Sequence, residues 1–124
     1  MLRIGALTAL VWIGLLGQSQ AQYVQVGGDD MDACSSMGEV VGLKRNGDNF
    51  LAVRAGPGST EAKLDEIHMG DAVFICDERN GWMGIVYGGG RGCGVSSPVV
   101  PRQTYMGPCR SGWVSARFVE VTAG

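Results

Sequence analysis

Leu51-Ala52-Val53-Arg54-Ala55-Gly56-Pro57-Gly58 is the stretch whose reading decides the fold. Leu51 and Val53 share one face of an extended segment, and Arg54 follows on the other. Gly-Pro-Gly then cuts the segment off, because Pro57 fixes φ and the flanking glycines tolerate a sharp corner. The reading is a short strand that runs into a turn. Asn80-Gly81-Trp82 and Gly112-Trp113-Val114 repeat the theme further on, with turn residues leading into an aromatic that opens a strand.

Working outward from this block, residues 39–43 (Glu-Val-Val-Gly-Leu) read as a first strand, and Asn46-Gly47-Asp48 as the turn before the second at 50–54. Residues 62–67 place apolar side chains at 62, 64 and 67 and read as a third strand before Met69-Gly70-Asp71. Ala72-Val73-Phe74-Ile75-Cys76 is a continuous run of β-formers, which fits a central strand buried on both faces. Asp77 to Gly81 is the next turn, with Asn80-Gly81 supplying positive φ. In the fifth strand, 82–87, Trp82, Gly84 and Val86 share one face and Met83, Ile85 and Tyr87 the other. Gly84 inside it marks a bend or a close backbone approach. Gly112-Trp113-Val114 is a further strand, 115–118 a single helical turn, and 119–121 the closing strand. Short strands with frequent turns and no amphipathic helix predict an all-β barrel or sandwich, and a barrel closed on itself resolves its edges best at this length.

The ends and the cysteines set the compartment. Arg3 precedes an apolar run from Ile4 to Leu16, and Gln18-Ser19-Gln20-Ala21 puts small residues where a cut after Ala21 requires them. That run is shorter than the roughly 20 residues of a membrane anchor. Residues 1–21 therefore read as a cleaved signal peptide, with no stable membrane insertion afterwards. Removing Arg3 takes the net charge from −2 to −3, with acids and bases interspersed. Such a surface offers no basic stripe for nucleic acid or anionic membrane. Cys34, Cys76, Cys93 and Cys109 all lie in the exported part, where two disulfides are the default. Four cysteines allow three pairings. Cys93–Cys109 is favoured because it closes a Gly- and Pro-rich segment unable to order itself, which leaves Cys34–Cys76 to tie the N-terminal extension to a core strand. No Cys-x-x-Cys occurs and His68 is the one histidine, so neither a metal site nor another cofactor is expected. The expected organisation is a signal peptide at 1–21, an extension without regular structure at 22–38, and one domain at 39–124. An insertion at 88–111 precedes its last strands.

From Leu43 to Val121 the chain resembles one bacterial Src-homology-3-like (SH3b) domain. Leu51-Ala52-Val53-Arg54-Ala55-Gly56-Pro57 is similar to that family's opening Leu-Asn-Val-Arg-Ser-Gly-Pro, with Ala52 in place of the usual Asn. Leu64 to Val73 is similar to its strand, Gly and strand sequence. Gly81-Trp82 and Gly112-Trp113-Val114 correspond to its later Gly-Trp and closing Gly-Trp-Val. The resemblance implies a small SH3-like β-barrel, here with a long disulfide-stapled insertion. It also implies a non-enzymatic module of the kind found beside cell-wall hydrolases, whose partner is peptidoglycan or an envelope protein. The location expected is periplasmic or secreted.

Candidate ligand-binding residues follow from side-chain chemistry. Trp82 and Trp113 offer broad flat apolar faces with one donor each; the competing reading is that both plug the barrel ends. Arg54 either meets a ligand or pins the Gly-Pro corner through carbonyls or Asp48. Tyr105 and Arg102, with Arg91 and Arg110, lie in the insertion, where an aromatic and guanidiniums suit a carboxylate-bearing ligand. No catalytic constellation emerges. The thiols are spent in disulfides, and Asp65/Glu66 and Asp77/Glu78 are neighbours that point to opposite faces of a strand. Gly88-Gly89-Gly90 lacks the helix that a phosphate loop requires. The alternative function is a protein-interaction or inhibitor role exercised through the 88–111 insertion.

Overall fold

The computed structural model describes residues 22–124; the signal peptide expected at 1–21 lies outside the described residues. The described residues form nine strands: β1 Gln25–Val26, β2 Ser36–Val40, β3 Leu51–Arg54, β4 Lys63–Ile67, β5 Ala72–Arg79, β6 Trp82–Tyr87, β7 Gln103–Thr104, β8 Arg110–Ser115 and β9 Val119–Ala123. Only two single 3₁₀ turns, Gly90–Cys93 and Ala116–Phe118, are helical among the described residues. The protein is all-β.

Seven strands form one antiparallel sheet in the order β4-β3-β8-β6-β5-β2-β9, and β1 pairs with β7 in a separate two-stranded ladder. β4 and β9 each have a neighbour on one side only, so the ladder is open and the sheets do not close into the barrel expected. Closure needs a ladder between first and last strands. Here the inner face is covered instead by side chains from all seven strands of the large sheet. Val40, Leu51, Val53, Ile67, Val73, Ile75, Met83, Ile85, Tyr87, Val114 and Val119 form one core, with Leu43 and Phe118 packed against it.

The β5–β6 hairpin shows how sequence sets this geometry. Asn80 and Gly81 turn it with φ of 50° and 82°, the left-handed pair that a tight hairpin requires. The ladder runs as far as Arg79↔Trp82, so β5 extends through residues read from sequence as a turn. The register shifts between Ile75 and Asp77, which leaves Cys76 as the extra residue of a bulge. Met83, Ile85 and Tyr87 face the inner core, and Phe74 and Val86 face the opposite side, as the alternation predicts. Gly84 sits opposite Asp77, where a Cβ would stand 2.8 Å from the Asp77 Cβ and 3.3 Å from the Trp113 ring. That is the close approach expected of it.

The outer face of the hairpin carries a second core. Val26, Ala33, Cys34, Phe74, Val86, Cys93 and Val95 are buried together, with Val99 and Tyr105 against them. The N-terminal stretch is thus neither loose nor unstructured. β1 pairs with β7, within residues 88–111 (Gln25↔Thr104), and Ala33 and Cys34 donate to the carbonyls of Ser97 and Val95 at 2.9 and 3.2 Å. β2 begins at Ser36, inside the stretch read as extension, and pairs with both β5 and β9. The disulfides are Cys34–Cys76 and Cys93–Cys109, the favoured pairing, with Cα–Cα distances of 4.3 and 5.1 Å. Each fastens the outer layer, the first to β5 and the second across residues 93–109. The Gly56-Pro57-Gly58 corner differs in one respect from its reading: neither glycine has positive φ. Gly56 is small because the Glu61 side chain packs on it, and a Cβ there would lie 2.9 Å from the Glu61 carboxyl carbon.

Candidate functional site

The end of β3, the start of β6 and the turn after β8 meet around an open groove of about 570 Å³. Three aromatic residues line it: Phe50 before β3, Trp82 at the hairpin end and Phe118 in the 3₁₀ turn. The hairpin and that turn are joined by the Ala116 N–H donating to the Gly81 carbonyl at 2.9 Å, which fixes Trp82 beside residues 115–118. Leu43 and Leu51 supply further apolar lining. Around the rings stand Lys44, Arg54 and Arg117, with Asp48 as the one acidic residue of the lining. The groove carries more cations than acids on a chain of net charge −2, so an anion entering it meets a locally positive lining.

Two of these cations are held in place. Arg54 donates from Nη1 to the Glu61 carbonyl at 2.9 Å, so it does pin the turn region through a carbonyl as well as lining the groove. The Arg117 guanidinium lies 5.8 Å from the Phe118 ring centroid, within cation–π range. A ligand therefore encounters charge already ordered, which lowers the entropic cost of binding.

Of the residues singled out from sequence, the groove brings together Trp82 and Arg54; Trp113, Tyr105 and Arg102 lie elsewhere. Trp113 is only 1% exposed and turns its Nε1–H to the Gln22 carbonyl at 2.6 Å. It plugs the outer face under the N-terminal strap, not a barrel end. The Tyr105 hydroxyl donates to the Cys93 carbonyl at 2.7 Å and accepts the Cys109 N–H at 3.1 Å, so it braces the second disulfide. Arg102 bonds Asp77 through Nη2 at 3.2 Å and the Gly27 carbonyl through Nη1 at 3.2 Å. These three side chains hold the outer layer together. Phe50, Phe118, Lys44 and Arg117 escaped the sequence reading, because only the fold gathers four segments at one place. The Arg117-Phe118 pair, straight after the Gly-Trp-Val strand, is the one local signal that pointed there.

A second polar cluster lies at the other end of β6. Tyr87 donates to Asp65 Oδ2 at 2.9 Å, and Arg110 donates to the same oxygen at 3.0 Å. The Glu66 N–H first, then Tyr87, hold the Asp65 carboxyl below its ordinary value of 3.8. Burial first, then the hydrogen bond to the Asp65 carboxylate and its charge, push the Tyr87 hydroxyl above its ordinary 10.0. A raised folded value means that the Tyr87 contribution to stability is complete below pH 10.0 and is lost as pH rises above it. The Asp65 contribution is complete above pH 3.8 and is lost as pH falls below it. Urea unfolding followed by tryptophan fluorescence should therefore weaken towards both extremes, and Tyr87→Phe should flatten the alkaline limb. An equally steep alkaline limb in that variant would remove Tyr87 as its source. Among the described residues, no three His, Cys, Asp or Glu side chains gather as a metal site would require.

No family model matches the chain, and no curated protein and no solved structure matches it.

Proposed function

We propose that this chain is an exported, non-catalytic binding module of SH3b-like kind. Its groove around Trp82 holds an anionic cell-wall peptide or glycan, or the matching surface of an envelope protein. The observation that carries this reading is the joining of three aromatic faces and three cations in one open groove. Rings supply apolar area to sugar rings and peptide planes, and ordered guanidiniums supply carboxylate recognition. The order of the Leu-x-Val-Arg, Gly-Trp and Gly-Trp-Val blocks supports the SH3-like reading of the domain. The two disulfides support a periplasmic or secreted location.

Sedimentation of the domain with purified peptidoglycan, at low and at moderate salt, tests the reading. Wild type should co-sediment, less so as salt rises. Trp82→Ala should lose about 2 kcal/mol of binding or more, roughly a thirtyfold fall in affinity, while its melting curve stays cooperative. Binding retained by that variant would sink the groove as the site. Absence of binding at either salt would favour the other reading, docking through the 88–111 insertion. There, Met106 and Val100 are 87% and 70% exposed.

A further inference from the structure

The residue that a cut after Ala21 would leave at the N-terminus is a glutamine, and the fold holds it by its oxygens. The Gln22 main-chain carbonyl accepts the Trp113 Nε1–H at 2.6 Å, and its side-chain Oε1 accepts from Arg79 Nη1 at 3.1 Å. Arg79 is itself stacked 5.9 Å from the Trp113 ring centroid. Val24, two residues on, is 2% exposed, and β1 follows directly, so Gln22 is the end of a strap and not a free tail. Gln22 is nevertheless exposed, and among the described residues no hydrogen bond uses its amide Nε2.

We propose that Gln22 is a modification site: once released, it closes to pyroglutamate, and the lactam stays docked against Trp113 and Arg79. This rests on the export reading, with cleavage after Ala21. In the step, the free α-nitrogen attacks the residue's own Cδ. The N–Cδ bond forms, the Cδ–Nε2 bond breaks, and the amide nitrogen leaves as ammonia with the proton that the α-nitrogen gives up. Neither oxidant, reductant nor second reactant is consumed. Both oxygens survive the step, Oε1 as the lactam carbonyl and the main-chain oxygen unchanged, so both acceptors remain for Arg79 and Trp113. The Arg79 hydrogen bond polarises the Cδ carbonyl and stabilises the negative charge that gathers on Oε1 as the nitrogen adds. Closure also removes an α-ammonium charge from the residue that a guanidinium holds.

The test is intact mass and N-terminal sequencing of the full chain after export and processing in a bacterial host. The expected product begins at residue 22, has lost one ammonia beyond the four hydrogens that its two disulfides remove from the encoded mass, and is refractory to sequential degradation until treated with pyroglutamyl aminopeptidase. A chain that begins at Gln22 with no ammonia lost and a readable N-terminus overturns the proposal and leaves the cleavage reading intact. A chain that begins elsewhere overturns the cleavage reading and the proposal with it. Gln22→Ala should show the encoded mass less only those four hydrogens, and a readable sequence. Ammonia loss persisting in that variant assigns it to Asn46-Gly47 or Asn80-Gly81 and overturns the proposal. Arg79→Ala should slow the ammonia loss of the freshly released chain, and an unchanged rate overturns the part given to Arg79.

Discussion

Trp113→Ala is expected to lower the unfolding free energy by roughly 3–5 kcal/mol, the range for deleting a large buried aromatic. The ring is 1% exposed, and it lies beneath Gly84 and the N-terminal strap. Removing it opens a void that the surrounding strands cannot fill, since β8 is held between β3 and β6. It also deprives the Gln22 carbonyl of its donor and Arg79 of its stacking partner. The loss is a large share of the roughly 5–15 kcal/mol that holds a domain folded. Urea unfolding of wild type, Trp113→Phe and Trp113→Ala gives the answer. Phe should keep most of the packing and lose mainly the hydrogen bond, about 1 kcal/mol. If Ala cost no more than Phe, the buried-plug role would be refuted.

The second large effect belongs to the disulfides. Replacing Cys34 and Cys76 together by serine should cost about 4 kcal/mol, because that bridge closes a loop of sequence separation 42. The Cys93–Cys109 pair, of separation 16, should cost about 3 kcal/mol by the same chain-entropy estimate. The order matters more than the values. Thermal unfolding of the two paired variants, without reductant, should place the Cys34/Cys76 variant lower. The reverse order would mean that bracing of residues 93–109, through Tyr105, outweighs loop length.

Local alternation made β6 legible, down to which side of the sheet each residue faces, whereas the extension of β5 through Asp77, Glu78 and Arg79 and the bulge at Cys76 were not read. Asn80-Gly81 specified the turn between them through φ alone, with no help from distant contacts. The N-terminal strap was illegible for the converse reason. Gln25 and Val26 become a strand only because Thr104 and Gln103 lie beside them, far along the chain. No pattern within a two-residue strand announces a partner. The cysteine pairing was readable because the Gly/Pro content of residues 88–111 favours a bridge across them, which leaves Cys34 for Cys76. The candidate site was half readable. Trp82 and Arg54 stand at strand ends flanked by turn residues, where side chains reach the rim. Trp113 carries the same Gly-Trp signature, yet its strand lies in the middle of the sheet, under the strap, and its face is covered. Identical local motifs were separated by tertiary cover, which a motif does not encode. Closure of the sheet was the other miss, since economy of edges argues for a barrel but side-chain packing satisfies the inner face without one.

The open ladder leaves two edges, and they are not alike. β4 presents Lys63, Asp65 and Glu66 and has an irregular register opposite Val53 and Arg54. A strand arriving there from another molecule meets charge and a broken hydrogen-bond spacing. β9 presents Val119-Glu120-Val121-Thr122-Ala123, with one charge and a 53% exposed Val121. Its ladder to β2 also shifts register, between Met37 and Gly38, so the two edges differ in charge and not in regularity. Association between molecules by strand pairing should therefore begin at β9, the edge with one charge, which starts directly after Phe118 of the groove lining.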